Sequence, residues 1–242
     1  MKNFYYSIKL IPIIFFLILL CPQFSFAQDD KPKTLDFPDS MTPYDWRLSL
    51  GYSAIKMPYD IALEGATINW PLIKFNVVMG LPANFRADGE ISTEVVTNQF
   101  KLGGRWVYKF NSQLHGDLGY GIAFLYGQLK QSGYDSKISG WYSYPTIAMG
   151  YDFGALTLTL RGTMSFINSL QSKSGSLETD FAIARNNGFS YSLTMEQRFW
   201  KNTTVLIGFQ MNYLKMYYPQ WPLFPAINRY YWIPEFQLRF TL

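Results

Sequence analysis

Residues 155–166 read Ala-Leu-Thr-Leu-Thr-Leu-Arg-Gly-Thr-Met-Ser-Phe. In an extended chain Leu156, Leu158, Leu160, Gly162, Met164 and Phe166 share one side. Ala155, Thr157, Thr159, Arg161, Thr163 and Ser165 share the other. A period of two marks a strand with one apolar and one polar face. The run is about twice the usual strand length of about five or six residues in a soluble domain. Such a strand needs a hydrogen-bonded neighbour along each edge and an apolar surrounding along one whole face.

The alternation recurs over 45–56, 72–81, 98–110, 113–127, 141–152, 188–200, 204–217 and 230–242, which makes nine strands. Asn111-Ser112, Phe153-Gly154 and Lys201-Asn202 connect neighbours tightly, whereas 128–140, 167–187 and 218–229 are long. Tight turns at one end and long loops at the other describe an all-β, antiparallel, up-and-down transmembrane β-barrel. Aromatics mark both of its boundaries. Trp46, Phe110, Phe153, Phe199 and Phe240 stand near the tight turns, and Tyr126, Trp141, Phe166, Phe189, Tyr213, Tyr230 and Trp232 near the long loops. Single-chain bacterial barrels have even strand numbers. Ten is the preferred count, with the tenth strand at 59–69 ahead of a turn at Trp70-Pro71. Eight strands from Leu72 onward is the alternative.

The N-terminus reads as a secretion signal: Lys2 and Lys9, an apolar run from Leu10 to Leu20, then the small-x-small site Ser25-Phe26-Ala27. Residues 1–27 are therefore expected to be cleaved. Leu20 before Cys21 departs from the small residue that lipid attachment to a cysteine requires. Losing Lys2 and Lys9 leaves 19 of 21 lysines and arginines against 17 acids, a net charge of +2, so nothing points to nucleic acid. Cleavage also removes the only cysteine. Aromatic residues make up 19% and charged residues 16% of the chain. The charged share is well under the roughly 25% of soluble domains, as a lipid-facing wall requires. Residues 28–44, polar and carrying Pro32, Pro38 and Pro43, read as a flexible periplasmic leader, and 45–242 as the barrel.

If the apolar faces meet lipid, the opposite faces line the lumen. That places Arg105, His115, Asp117, Arg161, Glu196, Arg198, Glu235 and Arg239 inside as a candidate polar network. Ions of both signs in so narrow a space must pair. His115 and Asp117 share a face, the arrangement of a carboxylate orienting an imidazole base. However, His115 lies close to the inner turn and no nucleophile motif accompanies it. The expected role is a hydrogen-bonding histidine, with no catalytic, cofactor or metal site. Gly119, Gly121 and Gly127, on the same face, are expected to make room for packing. In the last long loop Tyr217, Tyr218, Trp221 and Phe224 sit among three prolines and offer aromatic contacts to a partner or sugar.

The C-terminal strand ends Phe236-Gln237-Leu238-Arg239-Phe240-Thr241-Leu242. It resembles the terminal signal of small bacterial outer-membrane β-barrel proteins, with Leu242 where an aromatic residue usually stands. The resemblance implies insertion by the barrel assembly machinery, outer-membrane lipid as surroundings, a periplasmic C-terminus and long loops facing out of the cell. It leaves three roles open. One is a closed, non-enzymatic barrel whose outer loops contact a surface glycan or envelope protein. The others are an outer-membrane enzyme acting on lipid or peptide, and a narrow passive channel.

Overall fold

The computed structural model describes residues 34–56, 69–94, 96–131, 134–174, 177–200, 203–215 and 230–241. The expected signal segment, residues 1–27, lies outside them. Ten strands are present: β1 (Trp46–Lys56), β2 (Asn69–Gly80), β3 (Phe85–Thr93), β4 (Thr97–Lys109), β5 (Leu114–Gln131), β6 (Tyr134–Asp152), β7 (Leu156–Ser174), β8 (Leu177–Trp200), β9 (Thr203–Leu214) and β10 (Tyr231–Thr241). Each pairs antiparallel with its neighbours in sequence. β1 also pairs with β10, from Ser49 opposite Thr241 to Ile55 opposite Glu235, and this closes the barrel.

Ten strands is the preferred count, but the tenth lies elsewhere than expected. Trp70 and Pro71 are not a turn: they sit within β2, opposite Ile55 and Ala54, and residues 57–68 lie outside the described set. The strand absent from the sequence reading is β3. Its inward residues are Arg86, Asp88, Glu90 and Ser92, and its outward ones Phe85, Ala87, Gly89 and Ile91. Small residues on the lipid side make the hydrophobic period faint, so the signal is carried by charge at every second position. Pro71 is tolerated because pairing of β2 with β3 starts only at Ile73 opposite Thr93. The side of Pro71 away from β1 is an edge, where a missing N–H costs least.

Burial is inverted relative to a water-soluble protein. Leu50, Ile73, Leu102, Ile147, Leu160 and Leu193 are exposed on the outer wall, while Arg86, Asp117, Glu196 and Glu235 are completely buried in the lumen. Only an apolar solvent makes both halves favourable.

The leader also differs from the sequence reading. Residues 28–44 read as a flexible periplasmic segment, yet 34–41 run inside the barrel at its tight-turn end, with Leu35, Phe37 and Met41 buried. Pro38 and Pro43 stand in residues 34–44, which hold no helix. This leaves the main-chain groups free for side chains of the wall to bind.

The strands are unequal. A bilayer-crossing strand takes about 9–11 residues, whereas β5 has 18, β6 and β7 have 19 each and β8 has 24. β8 meets β9 only from Gly188 opposite Leu214. Asn187 stands at a break in register and its carbonyl accepts from the Lys215 amide at 2.8 Å; beyond it, Leu177–Asn186 follows β7 as its one strand partner among the described residues. Strands β5 to β8 therefore continue past the loop-end rim as a four-stranded sheet.

Leu160 lies mid-wall opposite Met149 and Leu193 and is 56% exposed. Leu160→Arg should cost about 2–4 kcal/mol of stability in lipid vesicles, measured by reversible urea unfolding. A loss under about 1 kcal/mol, the range of an interfacial site, would show that Leu160 does not face the bilayer core.

Candidate functional site

The lumen has three layers, beginning at the tight-turn end. There the wall binds residues 34–41 mainly through their backbone. The Glu196 carboxylate accepts from three successive amides, those of Leu35 (2.5 Å), Asp36 (3.1 Å) and Phe37 (2.7 Å). Arg86 donates to the carbonyls of Leu35 and Phe37, both at 2.6 Å. Arg47 donates to the Thr34 carbonyl at 2.5 Å, and Arg161 to that of Asp36 at 3.0 Å. His115 Nδ1 lies 3.1 Å from the Pro38 carbonyl, so the ring donates there. Charge-assisted bonds of this kind are about twice as strong as neutral ones.

Apolar contacts complete the seating. Leu35 and Met41 pack with Val78 and Leu206. The Phe37 ring lies 5.0 Å from His115. A Cβ on Gly150 would approach Phe37 and Pro38 to 2.7 Å, so only glycine admits them there.

The middle layer is ionic. Asp117 gives both oxygens to Arg161, at 2.9 and 3.0 Å. Arg105 donates to Asp88 at 2.8 Å, and Lys101 to Glu90 at 2.9 Å. Lys74 pairs with Glu235, and Gln237 bridges Glu235 and Gln210. Arg239 donates to Gln237 at 2.5 Å. The Asp36 side chain enters this belt from the leader, accepting from Thr194 at 2.9 Å with Arg161 at 3.4 Å.

The third layer is apolar. Ile55, Leu72, Ala123, Leu125, Ile138, Tyr142, Leu170, Leu214 and Ile233 form one buried cluster at the loop end. Tyr142 and Tyr144 stack at 6.3 Å within it. Between this roof and the leader lies a chamber of about 210 Å³ whose lining includes Asp36, Lys101, Tyr144, Gln210 and Gln237.

The structure thus brings Arg105, Asp117, Arg161, Glu235 and Arg239 into one belt and puts Glu196 and His115 on the leader. Arg198 follows two positions after Glu196 on β8, opposite Thr204. His115 and Asp117 share a face but serve different partners: Asp117 binds Arg161, and the imidazole meets the Pro38 carbonyl, the Phe37 ring and, at 3.6 Å, the Asp39 carboxylate. The contacts recorded for His115 include no serine or threonine hydroxyl, and no metal-holding group of acids, cysteines and histidines occurs among the described residues. Tyr217, Tyr218, Trp221 and Phe224 lie outside the described residues. Network residues absent from the sequence reading include Asp36 in the leader, Lys101 on β4, and Arg86, Asp88 and Glu90 on β3. The alternating charges of Arg86, Asp88 and Glu90 were the signal that could have found them.

Burial raises the Asp36 carboxyl, but Arg161, Arg105 and Arg239 together outweigh it and hold the group at about 2. Its folded value lies below its ordinary 3.8. The stabilisation it gives the seated leader is therefore complete above pH 3.8 and is lost as pH falls through about 2.

No protein-family model matches the chain, and no curated protein matches it in sequence. Several solved structures are similar in fold. The attachment invasion locus protein Ail of Yersinia pestis is 11% identical, with a TM-score of 0.41 over 83% of this chain and 98% of that one. The translocator domain of the autotransporter NalP from Neisseria meningitidis is 8% identical, with a TM-score of 0.42 over 84% of this chain and 90% of that one. Outer membrane phospholipase A from Escherichia coli is 11% identical, with a TM-score of 0.37 over 87% and 94%. The resemblance is one of architecture. Strand register and inverted burial, both features of this chain alone, carry the fold assignment.

Two outcomes follow. Arg161→Ala strands Asp117 in the lumen and should cost about 3–5 kcal/mol, and Asp117→Leu with Arg161→Leu should recover much of it, read by urea unfolding. Asp36→Asn should remove the acid sensitivity of the leader between pH 4 and 2. Pepsin cleavage at the Leu35–Phe37 segment, normalised to an unfolded substrate, should rise through that range in the parent chain and stay flat in the variant.

Proposed function

We propose that this is a bacterial outer-membrane barrel with no enzymatic role and a closed lumen, whose outward surface contacts an envelope protein or surface glycan. The observation that carries the reading is the contrast between the two parts of the molecule. The lumen is filled by its own charges, its leader and an apolar roof. The four-stranded sheet of β5–β8 continues well beyond the length a membrane requires.

That sheet presents backbone groups along its β8 edge from Leu177 to Arg185, where no second strand pairs among the described residues. Exposed strand edges bind partners by adding a strand. The departure of β8 from β9 is fixed at Gly188. Its φ is +129°, and a Cβ there would meet the Tyr213 carbonyl oxygen at 2.0 Å, so no other residue fits without moving the junction. The aromatic loop with Tyr217, Tyr218, Trp221 and Phe224 follows directly from β9 and belongs to the same outward surface in this reading.

Ser169 pairs with Ala182, so excising residues 170–181 and joining the ends through Asn-Gly keeps the register of the remaining hairpin. The shortened protein should still assemble and should lose at least about tenfold in adherence to surface glycan or to isolated bacterial envelopes, a loss of about 1.4 kcal/mol. A separate excision of 217–225 should weaken the same adherence. Unchanged adherence in both variants sinks the contact reading. Discrete conductance steps from the intact chain in planar bilayers would sink the closed lumen.

A further inference from the structure

We propose that the tight-turn end of the barrel is a peptide-binding site, filled by the chain's own residues 34–41 and vacated by them to open the mid-lumen chamber. The site is a feature of the wall and leader alone, so it stands or falls independently of the outward contact proposed above.

The geometry is that of a receptor holding an extended ligand. Glu196 collects three amides in a row, and four arginine and histidine positions collect the carbonyls of Thr34, Leu35, Asp36, Phe37 and Pro38. Main-chain recognition gives affinity for any extended segment, and side-chain pockets select the sequence. Here the pockets are specific. Arg161 and Arg105 face the Asp36 carboxylate. Gly150 leaves room for an aromatic ring followed by proline, and Val78 with Leu206 receives Leu35. The ligand class is an extended peptide of the form apolar–acidic–aromatic–proline.

The two ends of the chamber are closed by different physics. Side chains belonging to the wall form the roof, and opening it would expose a continuous apolar cluster to water. The floor is a single strand of chain. Polar bonds hold most of it, and on release each bond to a charged group exchanges for bonds to water at a net cost of about 1.5–3 kcal/mol, with Leu35, Phe37 and Met41 the apolar surface given up. Its withdrawal uncovers Glu196, Arg86, Arg161 and Arg105, all of which hydrate readily. Of the two closures, only the floor can open without unfolding the barrel. Its covalent tie to β1 passes through Tyr44, whose φ of 67° and whose amide bond to the Gly80 carbonyl at 2.8 Å turn the chain at the rim.

Cys21 is the only cysteine, so the full chain carrying Cys21→Ala and Ser192→Cys places one thiol in the chamber lining. In detergent, a charged maleimide should label it slowly. Glu196→Gln should raise the labelling rate about tenfold, the population change expected on losing a charge-assisted bond to the leader. A synthetic peptide of residues 34–41 in excess should slow labelling in both proteins, and the same peptide carrying Asp36→Arg should not. Heat-dependent gel migration reports whether the barrel is intact, and Asp36→Asn replaces Glu196→Gln if the latter does not fold. Labelling in an intact barrel that neither substitution accelerates, or that the peptide does not slow, overturns the proposal.

Discussion

Every charge on the polar faces of this barrel must be met by another group within a lumen about as wide as the side chains that fill it. This constraint organises the interior. With a lipid-facing wall of leucine, isoleucine and aromatic residues, ions have nowhere else to go, and an isolated ion there costs several kcal/mol, roughly. Asp117 meets Arg161, Asp88 meets Arg105, Glu90 meets Lys101 and Glu235 meets Lys74. Glu196 and Arg86 are met differently, by amides and carbonyls of the leader. A peptide backbone supplies both partial charges in one strand of chain. One segment can therefore satisfy a buried acid and a buried base together, which makes the leader part of the lumen's electrostatics as well as its floor.

The wall was legible because alternation in a strand is geometric: outward and inward sets follow from the sequence once one residue is placed. Trp46, Leu48, Leu50 and Tyr52 face outward as their pattern requires. Legibility failed where hydropathy and geometry part. In β3, Ala87 and Gly89 are small enough to face lipid without looking apolar, and the strand is recognisable only from Arg86, Asp88 and Glu90. The tight connection from Glu94 to Thr97, closed by a 3.0 Å backbone bond, also breaks the rule of long loops at that end. A reading that expects a long loop there passes over the strand before it.

The leader was illegible for another reason. Composition describes how a segment behaves in water, and residues 28–44 as a whole are polar and carry three prolines. The place of residues 34–41 is decided by partners more than a hundred positions away, such as Glu196 and Arg161, and nothing local announces them. The same limit applies to His115 and Asp117. Their shared face follows from spacing, but the competition of Arg161 for the carboxylate and of Pro38 for the imidazole is a matter of tertiary arrangement.

Glycine positions show that the wall and the leader fit as one object. At Gly80 a Cβ would stand 2.3 Å from the Thr42 carbonyl oxygen and 2.8 Å from the Met41 Cβ. At Gly150 it would stand 2.7 Å from both Phe37 and Pro38. These two glycines lie on β2 and β6, on separate parts of the wall, and both empty spaces are filled by the same short segment. An interior strand glycine weakens a sheet and is retained where another backbone or ring must come close. Wall and leader are matched in shape at Gly80 and Gly150 and in charge at Glu196 and Arg86. A segment merely trapped during folding would have no reason to match the wall in both respects.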